Sequence, residues 1–328
     1  MFALGLMGSP RKKGNTAFLL STVMAALEQM GAKTQTVYVP GKHIKPCIGC
    51  THCEKYGYCV QKDDDMAGEM FGLLRRADII VAATPIYFYN ATAQLKLFID
   101  RTQTLWSRKY KLGLDDPRAV SRSGFMLAVG ATKGRNLFEG MHLTAKYFFD
   151  AVRADFSGEL GYRRIEDPGD MARHEGLDAD VGQLVNHLAP LFSRQKLLFI
   201  GSKDTFRAPL AAAFAMGAAG RRVEVKSAGV DSDVAVNPRA MMDPLVEAVM
   251  PEKGVDMAFF EPQPLKDVLE EMQPDVIVTM DKKVTPPDIA GAVIHRLDIP
   301  PIAGRSIEAA REIRDAIETR VQKLIEIM

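Results

Sequence analysis

A chain of 328 residues has the length of two domains at about 150 residues each. Lys and Arg total 42 against 41 Asp and Glu, a net charge of +1, which excludes the broad basic footprint of a nucleic-acid or anionic-membrane binder. Apolar residues at 47% and charged residues at 25% are ordinary globular usage and exclude a disordered, collagen-like or coiled-coil chain.

The opening run MFALGLM reads as a buried strand, followed by the loop GSPRKKGNT and a helical pattern from Asn15 to Met30. A second strand fits Thr34–Pro40. The periodicity then breaks across a cysteine-rich segment, and a short helix follows at Met66–Arg75. Asp78–Thr84 reads as a buried strand, Pro85 as a turn, and Ala91–Trp106 as one amphipathic helix. The alternation continues with a strand at Gly124–Thr132, a helix at Leu137–Ala151 and a weaker strand at Ala154–Leu160. After the polar stretch Gly161–Gly176, a helix at Leu177–Phe192 closes the first series.

A second series begins near Ser193: strand Lys196–Gly201, a helix from Ala208, strand RVEVKSA, a helix near Pro238–Met250, strands DVIVTM and AVIHRL, and a last helix from Ser306. The expectation is α/β, two doubly wound parallel-sheet domains in tandem at 1–193 and 194–328, with a cysteine insertion at 46–60. The longest apolar runs, ADIIVAATPIYFY and APLAAAFAMGAAG, fall short of the roughly 18 to 20 residues of a spanning helix. The N-terminal stretch places its charges after its apolar run, the reverse of a secretory signal. A cytoplasmic protein is expected, with neither nucleic-acid nor membrane partner.

Ligands of open parallel sheets bind at the carboxyl ends of strands, where helix N-termini attract anions. In the first such loop Ser9 and Thr16 supply hydroxyls, Asn15 an amide, Arg11 a fixed cation, and Gly14 permits close backbone approach. This suits a monophosphate; a helix cap with Lys12 and Lys13 as solvated charges is the other reading. After the third strand, Pro85 fixes a turn and Ile86, Tyr87, Phe88, Tyr89 and Asn90 offer a flat, largely apolar surface that suits a flavin ring, or alternatively a core or interface.

The loops GSPRKKGNT, TPIYFYNATAQLKLFIDR and VGATKGRN together resemble the flavodoxin-like NAD(P)H-dependent FMN reductase family over roughly the first 190 residues. The resemblance implies FMN, with Ser9, Arg11, Asn15 and Thr16 on the phosphate, Pro85 to Asn90 along the ring, and Gly130, Ala131, Thr132 and Lys133 closing the pocket.

All four cysteines lie in PCIGCTHCEKYGYC, at Cys47, Cys50, Cys53 and Cys59. Three thiolates within seven residues can hold one corner of a [4Fe-4S] cubane, and the fourth reaches it across a turn eased by Gly57. Structural zinc usually takes two separated knuckles; zinc, disulfides and unligated thiols are the other readings. Inserted before the third strand, the motif resembles the iron-sulfur flavoproteins of anaerobic microorganisms. That resemblance implies a homodimer or homotetramer, a cluster on one subunit near FMN of a neighbour, and ferredoxin as a one-electron partner, with NAD(P)H the other donor. No Ser-His-Asp set or carboxylate pair stands out, which suits an oxidoreductase whose reactive atoms belong to cofactors. Two other functions stay open: an NAD(P)H-dependent FMN or quinone reductase with structural zinc, and a regulatory module that senses phosphate.

KLLFIGSKDTFRAPLAAAFAM resembles the phosphate loop of low-molecular-weight tyrosine phosphatases and arsenate reductases. Aligned on Arg207-Ala208-Pro209, the nucleophilic cysteine position holds Gly201, and in RLDIPPIAG the acid position falls on Pro301, with Asp298 nearby. A thiolate and an acid are both required for that phosphoryl transfer, so phosphatase activity is expected to be absent. Arg207 is left as a possible anion ligand.

Overall fold

In the computed structural model, residues 1–231, 242–302 and 306–328 are described. The chain divides into two compact units, one made of 1–113 and 122–192, the other of 114–121 and 193–328. The expected helix start at Pro238 and the last residues of RLDIPPIAG lie outside the described residues.

The first unit is a five-stranded sheet in the order β2-β1-β3-β4-β5, every pairing parallel. Its strands are β1 (Phe2–Met7), β2 (Lys33–Tyr38), β3 (Ile79–Pro85), β4 (Ser123–Gly130) and β5 (Asp155–Arg163). β1 and β4 are buried along their whole length, which is why they read as unbroken apolar runs. On one face Leu19, Val23 and Leu27 of α1 (Asn15–Gln29) pack with Val81, Leu127 and Val181 in a single core.

The predicted short helix is a π-helical turn at Met66–Met70 that runs into an α-helix, Phe71–Arg76. It follows α2 (His52–Tyr56) inside the cysteine segment, so Phe71–Arg76 is α3. The single helix expected over Ala91–Trp106 is two: α4 (Ala93–Arg101) and α5 (Gln103–Tyr110). Thr102 sits between them with its hydroxyl donating back to the Ile99 carbonyl at 2.6 Å, a bond that competes with helix continuation. β5 runs past the expected Leu160 to Arg163; as an edge strand it needs apolar residues on little of its length. The unit is completed by α6 (Glu139–Ala151), α7 (Leu177–Asn186) and α8 (Ala189–Phe192). Arg122, fully buried where the chain re-enters this unit, donates to the carbonyls of Ala77, Val152 and Arg75 at 2.7, 3.0 and 2.8 Å, satisfying carbonyls at helix ends.

The second unit is a four-stranded parallel sheet in the order β7-β6-β8-β9, formed by β6 (Gln195–Gly201), β7 (Val223–Gly229), β8 (Val276–Thr279) and β9 (Val293–Arg296). Its helices are α9 (Arg207–Ala219), α10 (Pro244–Val249), α11 (Leu265–Glu271) and α12 (Ile307–Glu326). Alanines of α9 pack against Ile317 and Val321 of α12 in the larger core, while Val268 of α11 lies in a smaller one with Leu198 and Ile277. Residues 114–121 join this unit through Asp115, whose N–H donates to the Gly254 carbonyl at 2.7 Å and whose carbonyl accepts from Asp256 at 2.8 Å.

Candidate functional site

The three predicted flavin loops leave the carboxyl ends of β1, β3 and β4 in the first unit. The order 2-1-3-4-5 reverses direction at β1 and β3, so the loops meet where such sheets bind ligands. At the first loop, α1 begins after Gly14 with neither a side-chain cap nor an acidic residue in its first turn. Its leading N–H groups are therefore available to an anion. Ser9 is buried, and its Oγ accepts from the Arg11 N–H at 3.1 Å, which leaves the hydroxyl proton free to donate. Arg11 is exposed and Thr16 buried. Asn15 has a different task from the one expected: its amide donates to the Asp167 carbonyl at 2.9 Å and accepts from Met171 N–H at 3.2 Å. It braces the strand-β5 loop, and only its backbone N–H is left for a phosphate.

Gly8 holds the start of this loop against α4. A Cβ there would lie 2.8 Å from Leu95 Cβ and 2.9 Å from the Ala83 carbonyl oxygen. Thr92, the N-cap of α4, locks the approach by donating to the Gly8 carbonyl at 2.6 Å while accepting from Leu95 N–H.

In the second loop Tyr87 and Asn90 exchange backbone hydrogen bonds at 2.9 and 3.0 Å. The two residues between them, Phe88 and Tyr89, have φ of +49° and +63°, a strained conformation for bulky side chains. Phe88 is fully exposed at 102%, and Tyr87 and Tyr89 are exposed as well. Ile86 is fixed to β4 through its N–H on the Val129 carbonyl at 2.8 Å, and the Asn90 Oδ1 accepts from Ala91 N–H and the Thr144 hydroxyl. The third loop places Ala131, Thr132 and Lys133 in solvent beyond the buried Gly130. These residues fit an FMN: uncapped N–H groups and a cation for phosphate, with exposed aromatics beside them for a ring.

The four cysteines line one cavity of about 460 Å³, shared with Arg101, Thr104 and other residues of α4 and α5. All four are free thiols, Cys47 and Cys50 exposed, Cys53 and Cys59 half-buried. Among the described residues no three His, Cys, Asp or Glu side chains are grouped tightly enough to hold a metal ion as they stand. The loop is shaped by Gly49, Thr51 and Gly57 at φ of +64°, +56° and +74°. His52 stacks on Tyr56.

Two hydrogen bonds reach sulfur. Arg101 Nη2 donates to Cys59 Sγ at 3.5 Å, and the buried Ser107 hydroxyl to Cys53 Sγ at 3.4 Å. Arg101, only 1% exposed, also donates to the carbonyls of Lys45 (2.7 Å) and Gln61 (3.5 Å) and pairs with the Asp64 carboxylate. Burial would raise the Asp64 carboxyl, but Arg101 and the N–H groups of Lys45 and Ala67 outweigh it and hold it below the usual carboxylate range. Arg101 Nε is buried with no partner. Four soft thiols, two donors to sulfur and a buried cation with an unspent N–H fit an anionic iron–sulfur centre. Lys42 and Lys45, which flank the motif, are instead paired with Glu69 and Asp63.

Sequence reading missed Arg101, Ser107, Asp64 and Thr92. Arg101 closes the quoted run TPIYFYNATAQLKLFIDR, and Asp64 sits in the acidic run DDD five residues after Cys59. A lone Arg ending an amphipathic helix and a short acidic run both look like solvated surface, and only the fold reveals their pairing.

In the second unit, Arg207 Nη2 pairs with Asp281 at 2.9 Å, and its Nη1 donates to the Ile299 carbonyl at 2.7 Å. The same Asp281 oxygen lies 3.4 Å from both the backbone N and the hydroxyl of Ser202. The cation expected for an anion is thus already engaged by an internal carboxylate. Asp204 of the same loop is fully buried; it accepts from Gln263 N–H at 2.9 Å, and its other oxygen has no partner. Burial pushes its pKa up to about 7.

Known proteins divide along the same line. Residues 1–142 match the NADPH-dependent FMN reductase family, and residues 196–287 the low molecular weight phosphotyrosine protein phosphatase family. The chain therefore carries an FMN-reductase-family domain followed by a low-molecular-weight-phosphatase-family domain, with the parallel α/β sheets proper to each. Curated relatives of the first part bear the name iron-sulfur flavoprotein. One from Archaeoglobus fulgidus is 42% identical over 101 residues, covering 31% of this chain and 45% of that protein. Another from Methanocaldococcus jannaschii is 34% identical over 133 residues, covering 40% of this chain and 64% of its own. The match thus spans roughly half to two thirds of these relatives' length. Among solved structures, RosB with a bound riboflavin-phosphate intermediate shows 19% identity and a TM-score of 0.44 over 58% of this chain and 79% of its own. Vibrio vulnificus Wzb with benzylphosphonate shows 21% identity and a TM-score of 0.36 over 41% and 99%. Among the described residues no helix is long and apolar enough to cross a membrane.

Proposed function

We propose that this chain is a flavin-dependent oxidoreductase of the iron–sulfur flavoprotein type, using FMN and a [4Fe-4S] centre for electron transfer. The observation that carries the reading is the single cavity lined by Cys47, Cys50, Cys53 and Cys59, set in a domain that matches an FMN reductase family. The cysteines would hold the cluster. Ser9, Arg11 and the leading N–H groups of α1 would hold the FMN phosphate, and Pro85 to Asn90 with Gly130 to Lys133 would flank its ring. Together the two groups exchange one-electron for two-electron traffic.

The chain's own residues bind and orient. Arg101 ties both ends of the cysteine segment to α4, and Thr92 and Gly8 fix the phosphate loop to the same helix. Ferredoxin or NAD(P)H is the donor in this reading, in a cytoplasmic homodimer or homotetramer. The second unit is read as lacking phosphatase activity, because Gly201 stands at the nucleophile position and Arg207 is occupied by Asp281.

Mixing oxygen-free protein with a reduced ferredoxin or with NAD(P)H, and following loss of flavin absorbance, tests the reading. Bleaching by the one-electron donor in the parent but not in Cys50→Ala is expected. Equal bleaching of both proteins by NAD(P)H alone, with stoichiometric zinc, would instead establish an FMN or quinone reductase with a structural metal.

A further inference from the structure

We propose that Arg101 and Ser107 are positioning residues that raise the reduction potential of an iron–sulfur centre held by the four cysteines. The inference rests on the function proposed above and adds to it the groups that set its driving force. A centre with four thiolate ligands is anionic and gains a further negative charge with each electron. Its potential therefore depends on hydrogen bonds to the sulfurs, local charge and exposure. Donors at sulfur favour the more negative, reduced form and make reduction easier.

Only two sulfurs have printed donors among the described residues, and both donors are buried. Arg101 is 1% exposed and Ser107 0% exposed, and they reach Cys59 and Cys53 at 3.5 and 3.4 Å. The guanidinium acts from within a weakly screened interior. Its charge is shared with Asp64, but its N–H at Cys59 and the unspent Nε–H are not. The other charges lining the cavity are weaker levers. Glu54 pairs with Lys111 at 3.8 Å and Asp100 with Lys96 at 2.6 Å, all four side chains at least 35% exposed, where water screens them. Arg101 also holds Lys45 and Gln61, one on each side of the motif, so the sulfur donor and the loop anchor are one side chain.

Stepwise one-electron reduction of oxygen-free protein by dithionite, followed by visible absorbance and electron paramagnetic resonance, reads the midpoint directly; one electron enters and no bond is made or broken. Ser107→Ala removes a single donor and is expected to keep the parental iron and sulfide content while its midpoint moves to a more negative potential. The Asp64→Asn/Arg101→Gln pair, which leaves no buried charge unmatched, is expected to move it further in the same direction. Lys111→Gln at the rim leaves it in place. A parental midpoint in either of the first two variants, with iron and sulfide intact, overturns the inference alone. An iron-free parent overturns it together with the proposed function.

Discussion

Asp204 is a carboxyl with no water around it, and that has a measurable consequence. Its folded pKa is raised by burial to about 7, against about 3.9 in an unfolded chain. The native state therefore keeps this proton to higher pH than the unfolded state does. Stability is full below about pH 4, falls as pH climbs to about 7, and is level beyond. Denaturant unfolding of the second unit at pH 5 and pH 8 should show the loss, and Asp204→Asn should remove most of it; an equal slope in the variant would assign the effect elsewhere. Phe88 makes a second case. It is fully exposed at a φ of +49°, so Phe88→Gly loses no packing and relieves about 1 kcal/mol of strain. Urea unfolding should find the variant more stable while its FMN affinity falls. Lower stability, or unchanged flavin binding, would mean that the strained turn serves packing.

At the scale of elements, the uncapped start of α1 is the feature that separates a phosphate site from an ordinary helix end. Arg11→Ala removes one charge-assisted contact worth about 1.5–3 kcal/mol, so FMN should bind roughly ten- to a hundredfold more weakly by flavin fluorescence quenching. Unchanged affinity would reduce the loop to a cap with solvated charges. Helix and strand positions were largely legible from apolar periodicity, because parallel strands buried on both faces leave unbroken runs such as Ile79–Ala83. What periodicity could not show were breaks made by single polar bonds. Thr102 divides α4 from α5 through one hydroxyl, and residues 114–121 enter the second unit through backbone bonds of Asp115. The candidate site followed the same rule. The cysteine spacing and the three loops are local in sequence, whereas the Arg101–Asp64 and Arg207–Asp281 pairs join positions 37 and 74 residues apart.

Across the whole molecule, a redox domain is joined to a phosphatase-family domain without the residues for phosphoryl transfer. The Arg207–Asp281 pair is partly buried at 18% and 12% side-chain exposure. Arg207→Ala should therefore cost about 1–3 kcal/mol through the carboxylate left unpaired, seen as a lower unfolding midpoint for the second unit. A change confined to phosphate binding, with stability unaltered, would instead make this arginine a ligand-binding residue. The claim on which everything else depends concerns the cysteines. Iron and acid-labile sulfide should be assayed in protein prepared without oxygen, for the parent and Cys50→Ala together. About four iron and four sulfide per chain in the parent, lost in the variant, is the predicted result; a parent with neither, or with zinc in their place, would contradict it.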